Sequence, residues 1–111
     1  MKDPIFFIKH INDSISNIEE FSKNFSKEDF LKDRKTQGAV IREIEIIGEA
    51  VKNLPEDFKN ENLKIPWKSI SGMRDNLIHH YFGVDLEKVW EVVEREIPLF
   101  KKEIKLILSR T

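Results

Sequence analysis

Residues 85–109 read DLEKVWEVVEREIPLFKKEIKLILS, and this stretch decides the fold. Leu86, Val89, Val93, Ile97, Phe100, Ile104 and Ile107 recur at steps of three and four, the spacing of one face of an α-helix. Asp85 is a good N-cap for that helix, and Val84 with Val89 has the spacing of a hydrophobic staple. Pro98 lies inside it and offers no N–H to the carbonyl four residues back, so a kink is expected near Glu94. At about 1.5 Å per residue such a helix spans roughly 37 Å, more than a compact monomer of this length needs. Two explanations stand. The seam packs on a long antiparallel helix of the same chain, or part of it pairs with a second copy.

The same period extends upstream. Ile8, Ile11, Ile15, Ile18, Phe21 and Phe25 form one stripe after Pro4, and Val40, Ile44, Ile47, Val51 and Leu54 form another over residues 36–54. Pro55 ends the second stripe by disfavouring the helical region for the residue before it. Between the two, Ser26-Lys27-Glu28-Asp29 reads as a capping box before a short helical turn. Residues 55–64 are polar and aperiodic, a turn of helix and a loop. A further helix opens at Pro66-Trp67, turns Ile70, Met73 and Leu77 inward, and breaks at Tyr81-Phe82-Gly83. No segment alternates as a strand does. The expectation is an all-α, up-and-down bundle of four to five helices, with one domain over residues 1–111.

Composition narrows the function. With 19 Lys and Arg against 20 Asp and Glu, the chain nets −1, which argues against a broad basic surface for bulk DNA but not against one local basic pocket. There is no Cys, so a disulfide scaffold, a Cys-ligated zinc and a thiol nucleophile are excluded. No apolar run reaches bilayer-spanning length and the first residues do not begin a signal peptide, so a cytoplasmic protein is expected.

The chemistry concentrates in Met73-Arg74-Asp75-Asn76-Leu77-Ile78-His79-His80-Tyr81, which holds two of the three His and the one Tyr. Arg74 offers a permanent charge and a planar donor fork that fits phosphate oxygens. His79 titrates near neutrality and can move a proton either way. Together they suffice to cleave RNA without a metal: a base takes the ribose 2′-hydroxyl proton while a cation stabilises the phosphorane. Asp75, one turn before His79, is placed to fix the imidazole tautomer. Five residues turn a helix by about 140°, so Arg74 and His79 do not share a face of one ideal helix. Either the helix loosens near Tyr81, or the two side chains reach a common cleft from opposing copies. Adjacent His79 and His80 diverge by about 100° and make a poor metal site. Trp67, Trp90 and most of the Phe fall on apolar stripes and read as core rather than as a base-stacking platform.

Arg74, four intervening residues, His79, one more and Tyr81 resemble the Arg-x4-His-x-Tyr signature of HepT-like proteins in the HEPN superfamily, including the polar Asp75 after the arginine. Ala39-Val40-Ile41-Arg42, Ile46-Ile47-Gly48-Glu49-Ala50, Ile65-Pro66-Trp67, Tyr81-Phe82-Gly83-Val84-Asp85 and Val89-Trp90 are similar to blocks of that family in the same order. The likeness runs from about Ile8 to Leu106.

The resemblance implies a HEPN-like bundle that dimerises and acts as a metal-independent RNase, the toxin of a two-gene toxin–antitoxin system. It makes Arg74 and His79 the catalytic pair, with Asp75 and Asn76 supporting. The implied partner is a minimal nucleotidyltransferase (MNT) antitoxin that transfers AMP from ATP onto Tyr81. ATP and magnesium would belong to that antitoxin, and no cofactor or metal is expected on this chain. A rival reading is a non-catalytic helical subunit that presents nucleotide or substrate to a nucleotidyltransferase. That subunit would need Arg74 as a phosphate clamp but not His79.

Overall fold

The computed structural model describes residues 2–78 and 85–111, with side chains for all of these except 74–78. The described residues are helical throughout their regular structure, with no strand among them. Helix α1 is Pro4–Ser22, α2 Lys27–Lys32, α3 Arg34–Lys52, α4 Glu56–Asn60, α5 Trp67–Ile78, α6 Leu86–Glu91 and α7 Ile97–Ser109, with a π-helical turn, Val92–Glu96, joining the last two. The longest dimension is 40 Å.

Local chemistry starts each helix. Asp3 caps α1, its carboxylate accepting the Ile5 N–H at 2.9 Å, and Pro4 takes a first-turn position where its missing donor costs nothing. Asn24, just past α1, adopts φ 65°, a left-handed conformation that asparagine tolerates. The expected capping box opens α2. Ser26 Oγ accepts the Asp29 N–H at 3.1 Å, and Asp29 Oδ2 accepts the Ser26 N–H at 3.0 Å. These bonds hold the Asp29 carboxyl below the usual carboxylate range, the backbone donor of Ser26 contributing most. Helix α3 begins two residues before the expected Thr36, because Asp33 closes α2 and also caps α3 through the Thr36 N–H at 3.0 Å.

The apolar stripes meet in one core. Helix α3 is the central element, packed against α1 on one side and α5 on the other, and α7 lies along α1. Ile8, Ile11, Ile15 and Ile18 of α1 are buried against Val40, Ile44, Ile47 and Val51 of α3. The α1 stripe ends at Ile18. Phe21 is exposed and Phe25 half-buried, since α1 stops at Ser22 and the chain turns away. Gln37 occupies the α3 stripe position before Val40 and is buried; its amide donates to the Phe30 carbonyl at 2.9 Å, which satisfies the polar group. The small α2 is anchored by Phe30, fully buried, whose ring lies 5.3 Å from that of Trp90 on α6. A cross-link at the far edge joins α7 to α1, where Lys101 donates to both Glu19 carboxylate oxygens at 3.1 and 2.9 Å.

The kink expected near Glu94 takes the form of the π-helical turn. Pro98 cannot donate to the Glu94 carbonyl, and the preceding Ile97 N–H bonds to Val92, five residues back. This wider turn changes the seam. Val92 and Ile97, five apart, are both buried, whereas the α-helical spacing had placed Val93 inward; Val93 is only half-buried. Asp85 caps α6 as expected, accepting the Lys88 N–H at 3.2 Å. Val84, the other half of the expected staple, lies outside the described residues. No helix among the described residues is long and apolar enough to cross a membrane.

Candidate functional site

The element that carries the motif is held firmly at its start. Trp67 opens α5, buried, with its indole N–H shared between the carbonyls of Lys59 at 3.2 Å and Asn62 at 3.1 Å. Its ring packs between Phe58 and the edge of Phe100, at centroid distances of 6.3 and 6.4 Å. One turn on, Ile70 is buried, and Met73 packs half-buried against the core. The first half of α5 is thus pinned to α4, α3 and α7 by aromatic and aliphatic contacts, so the backbone that follows starts from a fixed position.

The α5 backbone is helical through Ile78, which places Arg74, Asp75 and Asn76 in its second half, on the turns after Ile70. Their side chains, and the whole of His79, His80 and Tyr81, lie outside the described residues. The described chain resumes at Asp85, the cap of α6. The third histidine, His10, is exposed on α1 with its ring edge-on to Phe6 at 4.6 Å. It takes no part in the motif.

Beside Met73, the residue that precedes Arg74, a cleft of about 410 Å³ separates α5 from α3 and from the α6–π–α7 run. Ile44, Ile47, Ile70 and Phe100 make its apolar walls, and Lys88, Glu91 and Glu96 stand at its rim. Trp90, on the same run, donates its indole N–H to Glu94 at 3.0 Å, so the π-helical turn carries a fixed carboxylate as well. Sequence patterning had no means of finding this cleft, because Ile44, Ile47 and Phe100 read only as core stripe. Among the described residues no three His, Asp or Glu stand close enough to hold a metal ion.

The comparisons with known proteins cover nearly the whole chain. The family described as Ribonuclease HepT-like matches residues 11–107. A protein of Methanocaldococcus jannaschii named as a candidate RNase is 48% identical over 108 residues, covering 97% of this chain and 89% of the relative. One from Caldanaerobacter subterraneus, also named as a candidate RNase, is 47% identical over 110 residues, 99% of this chain and 98% of its own. A protein of Thermococcus cleftensis named as a candidate ribonuclease HepT is 52% identical over 95 residues, 86% of each chain. No solved structure gives a significant match. With an all-α, HEPN-like fold and a family match spanning its core, the chain belongs to the HepT-like ribonuclease family.

Proposed function

We propose that this protein is a metal-independent RNase, one HepT-like domain over residues 1–111, acting as the toxin of a toxin–antitoxin pair. The observation that carries the reading is the intact Arg74, His79, Tyr81 spacing in a chain of the HepT-like family. In this mechanism His79 removes the proton from a ribose 2′-hydroxyl, and the freed oxygen attacks the adjacent phosphorus. The Arg74 guanidinium binds the non-bridging oxygens and stabilises the extra charge of the phosphorane. The bond to the 5′-oxygen of the next nucleotide then breaks, that oxygen taking a proton from water, which leaves a 2′,3′-cyclic phosphate and a 5′-hydroxyl. Asp75 orients the imidazole and Asn76 supports the same cleft.

The angular separation of positions 74 and 79 on one helix favours a composite site, with Arg74 of one copy near His79 of another across a two-fold axis. Regulation follows from charge. An AMP group placed on Tyr81 by a partner MNT nucleotidyltransferase brings a phosphate to a site built for phosphate and excludes RNA. The reading is tested by incubating the purified protein with RNA in EDTA and analysing the ends. Cyclic or 3′-phosphate ends support it. No cleavage, or 5′-phosphate ends, would refute it.

A further inference from the structure

The corner where α1 hands over to α2 and α3 is basic, although the chain as a whole is not. Residues 23–35 contain Lys23, Lys27, Lys32, Arg34 and Lys35 against three carboxylates, a local +2 in a chain whose total is −1. Lys23, Lys32 and Arg34 are exposed and line one concavity of about 580 Å³ together with Phe25, Asp29 and Asp33. Neither carboxylate is idle. Asp29 accepts the Ser26 N–H at 3.0 Å and Asp33 accepts the Thr36 N–H at 3.0 Å, so each is partly compensated by a helix start. None of the three cations stands within ion-pair distance of a carboxylate among the described residues, although the charge of Lys32 helps to lower the Asp29 carboxyl. Phe25 is half-buried and lines the same concavity.

Cations around an aromatic ring form the pattern that binds single-stranded nucleic acid, the cations following phosphates and the ring taking a base. The corner also lies beside the start of α6. Lys27 Nζ on α2 pairs with Glu87 Oε1 at 3.7 Å, in the first turn of α6, and α6 is capped by Asp85, the first described residue past the motif. We propose that this corner is a second RNA-binding site, in which Lys23, Lys32 and Arg34 hold backbone phosphates of a single strand and Phe25 stacks on a base. It rests on the RNase reading for the identity of the nucleic acid. Its role is to hold a strand whose scissile phosphate lies at the motif, so it raises affinity for long RNA and contributes nothing to a dinucleotide.

The test separates binding from cleavage. Fluorescence anisotropy with a labelled 2′-O-methyl oligouridine, which lacks the attacking hydroxyl, reads binding alone. The triple variant Lys23→Ala/Lys32→Ala/Arg34→Ala should bind about a hundredfold more weakly at about 0.1 M salt. Its plot of log K against log salt should flatten by about two, since each lost phosphate contact on a single strand removes about 0.7. Phe25→Leu should weaken binding about fivefold with an unchanged salt slope, the signature of lost stacking. A control with equal charge loss on exposed positions of α1 and α7, Lys9→Ala/Lys102→Ala/Lys105→Ala, should bind nearly as the unsubstituted protein does. Circular dichroism confirms that all variants are folded. Equal losses in both triple variants, no loss at the corner, or no binding by the unsubstituted protein would each overturn the proposal. Failure of the RNase reading shows up separately, as binding of the oligouridine with no cleavage of ordinary RNA.

Discussion

Truncating Phe30 to alanine is the sharpest structural perturbation available. Phe30 is fully buried and is the one buried side chain of α2, so it is the main anchor of that helix, with Leu31 packed half-buried against the core beside it. Removing a buried Phe costs about 3–5 kcal/mol through lost transfer energy and the cavity left behind. The ring also faces Trp90 at 5.3 Å with a 34° tilt, and such aromatic pairs are worth about 0.5–1.5 kcal/mol beyond their burial. Folded domains have about 5–15 kcal/mol in all, so Phe30→Ala should remove a large part of the stability. Urea unfolding, followed by circular dichroism at fixed protein concentration, should show a loss of about 4 kcal/mol. The emission of Trp90 in the folded variant should move to the red as its cover is lost. Leu63→Ala, at a side chain 76% exposed, should change stability by less than about 0.5 kcal/mol. A loss below about 1 kcal/mol in Phe30→Ala would refute the anchoring role, and with it the reason for α2 to stand between α3 and α6.

Three other expectations follow. The Asp29 carboxyl is held low by the Ser26 donors, so its contribution is present above the unfolded carboxylate's ordinary value and is lost as pH falls through its lower folded value. Asp29→Asn should therefore destabilise at neutral pH and make little difference near pH 2 in paired urea titrations; an equal effect at both pH values would contradict this. Light scattering at micromolar concentration should give the mass of a dimer, and a stable monomer would remove the composite site. Co-expression with an MNT nucleotidyltransferase should add AMP to Tyr81, seen by intact mass, and Tyr81→Phe should lose the increment while keeping fold and cleavage; an increment retained in Tyr81→Phe would show that the modified residue lies elsewhere.

The bundle was legible in sequence because its core is built from uninterrupted stripes. Ile8 to Ile18, Val40 to Leu54 and Phe100 to Ile107 are buried as their spacing indicates. Misreadings arose where one residue serves two purposes or where backbone geometry changes period. Asp33 ends one helix and caps the next, so α3 starts two residues before the point its apolar stripe indicates. Pro98 announces a kink, but a spacing of three and four cannot anticipate a turn in which residues five apart align, so the buried position falls to Val92 rather than Val93. Gln37 gives no apolar signal, although it sits three residues before Val40 on the same stripe and is buried. The motif itself was legible as a cluster of chemistry and as a family signature, but helical spacing alone cannot bring Arg74 and His79 to one face. The basic corner left a signal too. Five cations in residues 23–35 are visible, but the convergence of three of them, Lys23, Lys32 and Arg34, on one concavity depends on the turn at Asn24 and the short α2, which periodicity does not show.

Single-turnover cleavage of RNA in EDTA by three proteins tests most directly the proposed division of roles, in which His79 transfers the proton and Arg74 binds phosphate. The unsubstituted protein should cleave; Arg74→Ala should lose both affinity and rate; His79→Ala should bind RNA nearly normally and lose cleavage by about 10²-fold or more. Cleavage by His79→Ala at the unsubstituted rate would contradict the account and leave Arg74 as a phosphate clamp in a binding subunit.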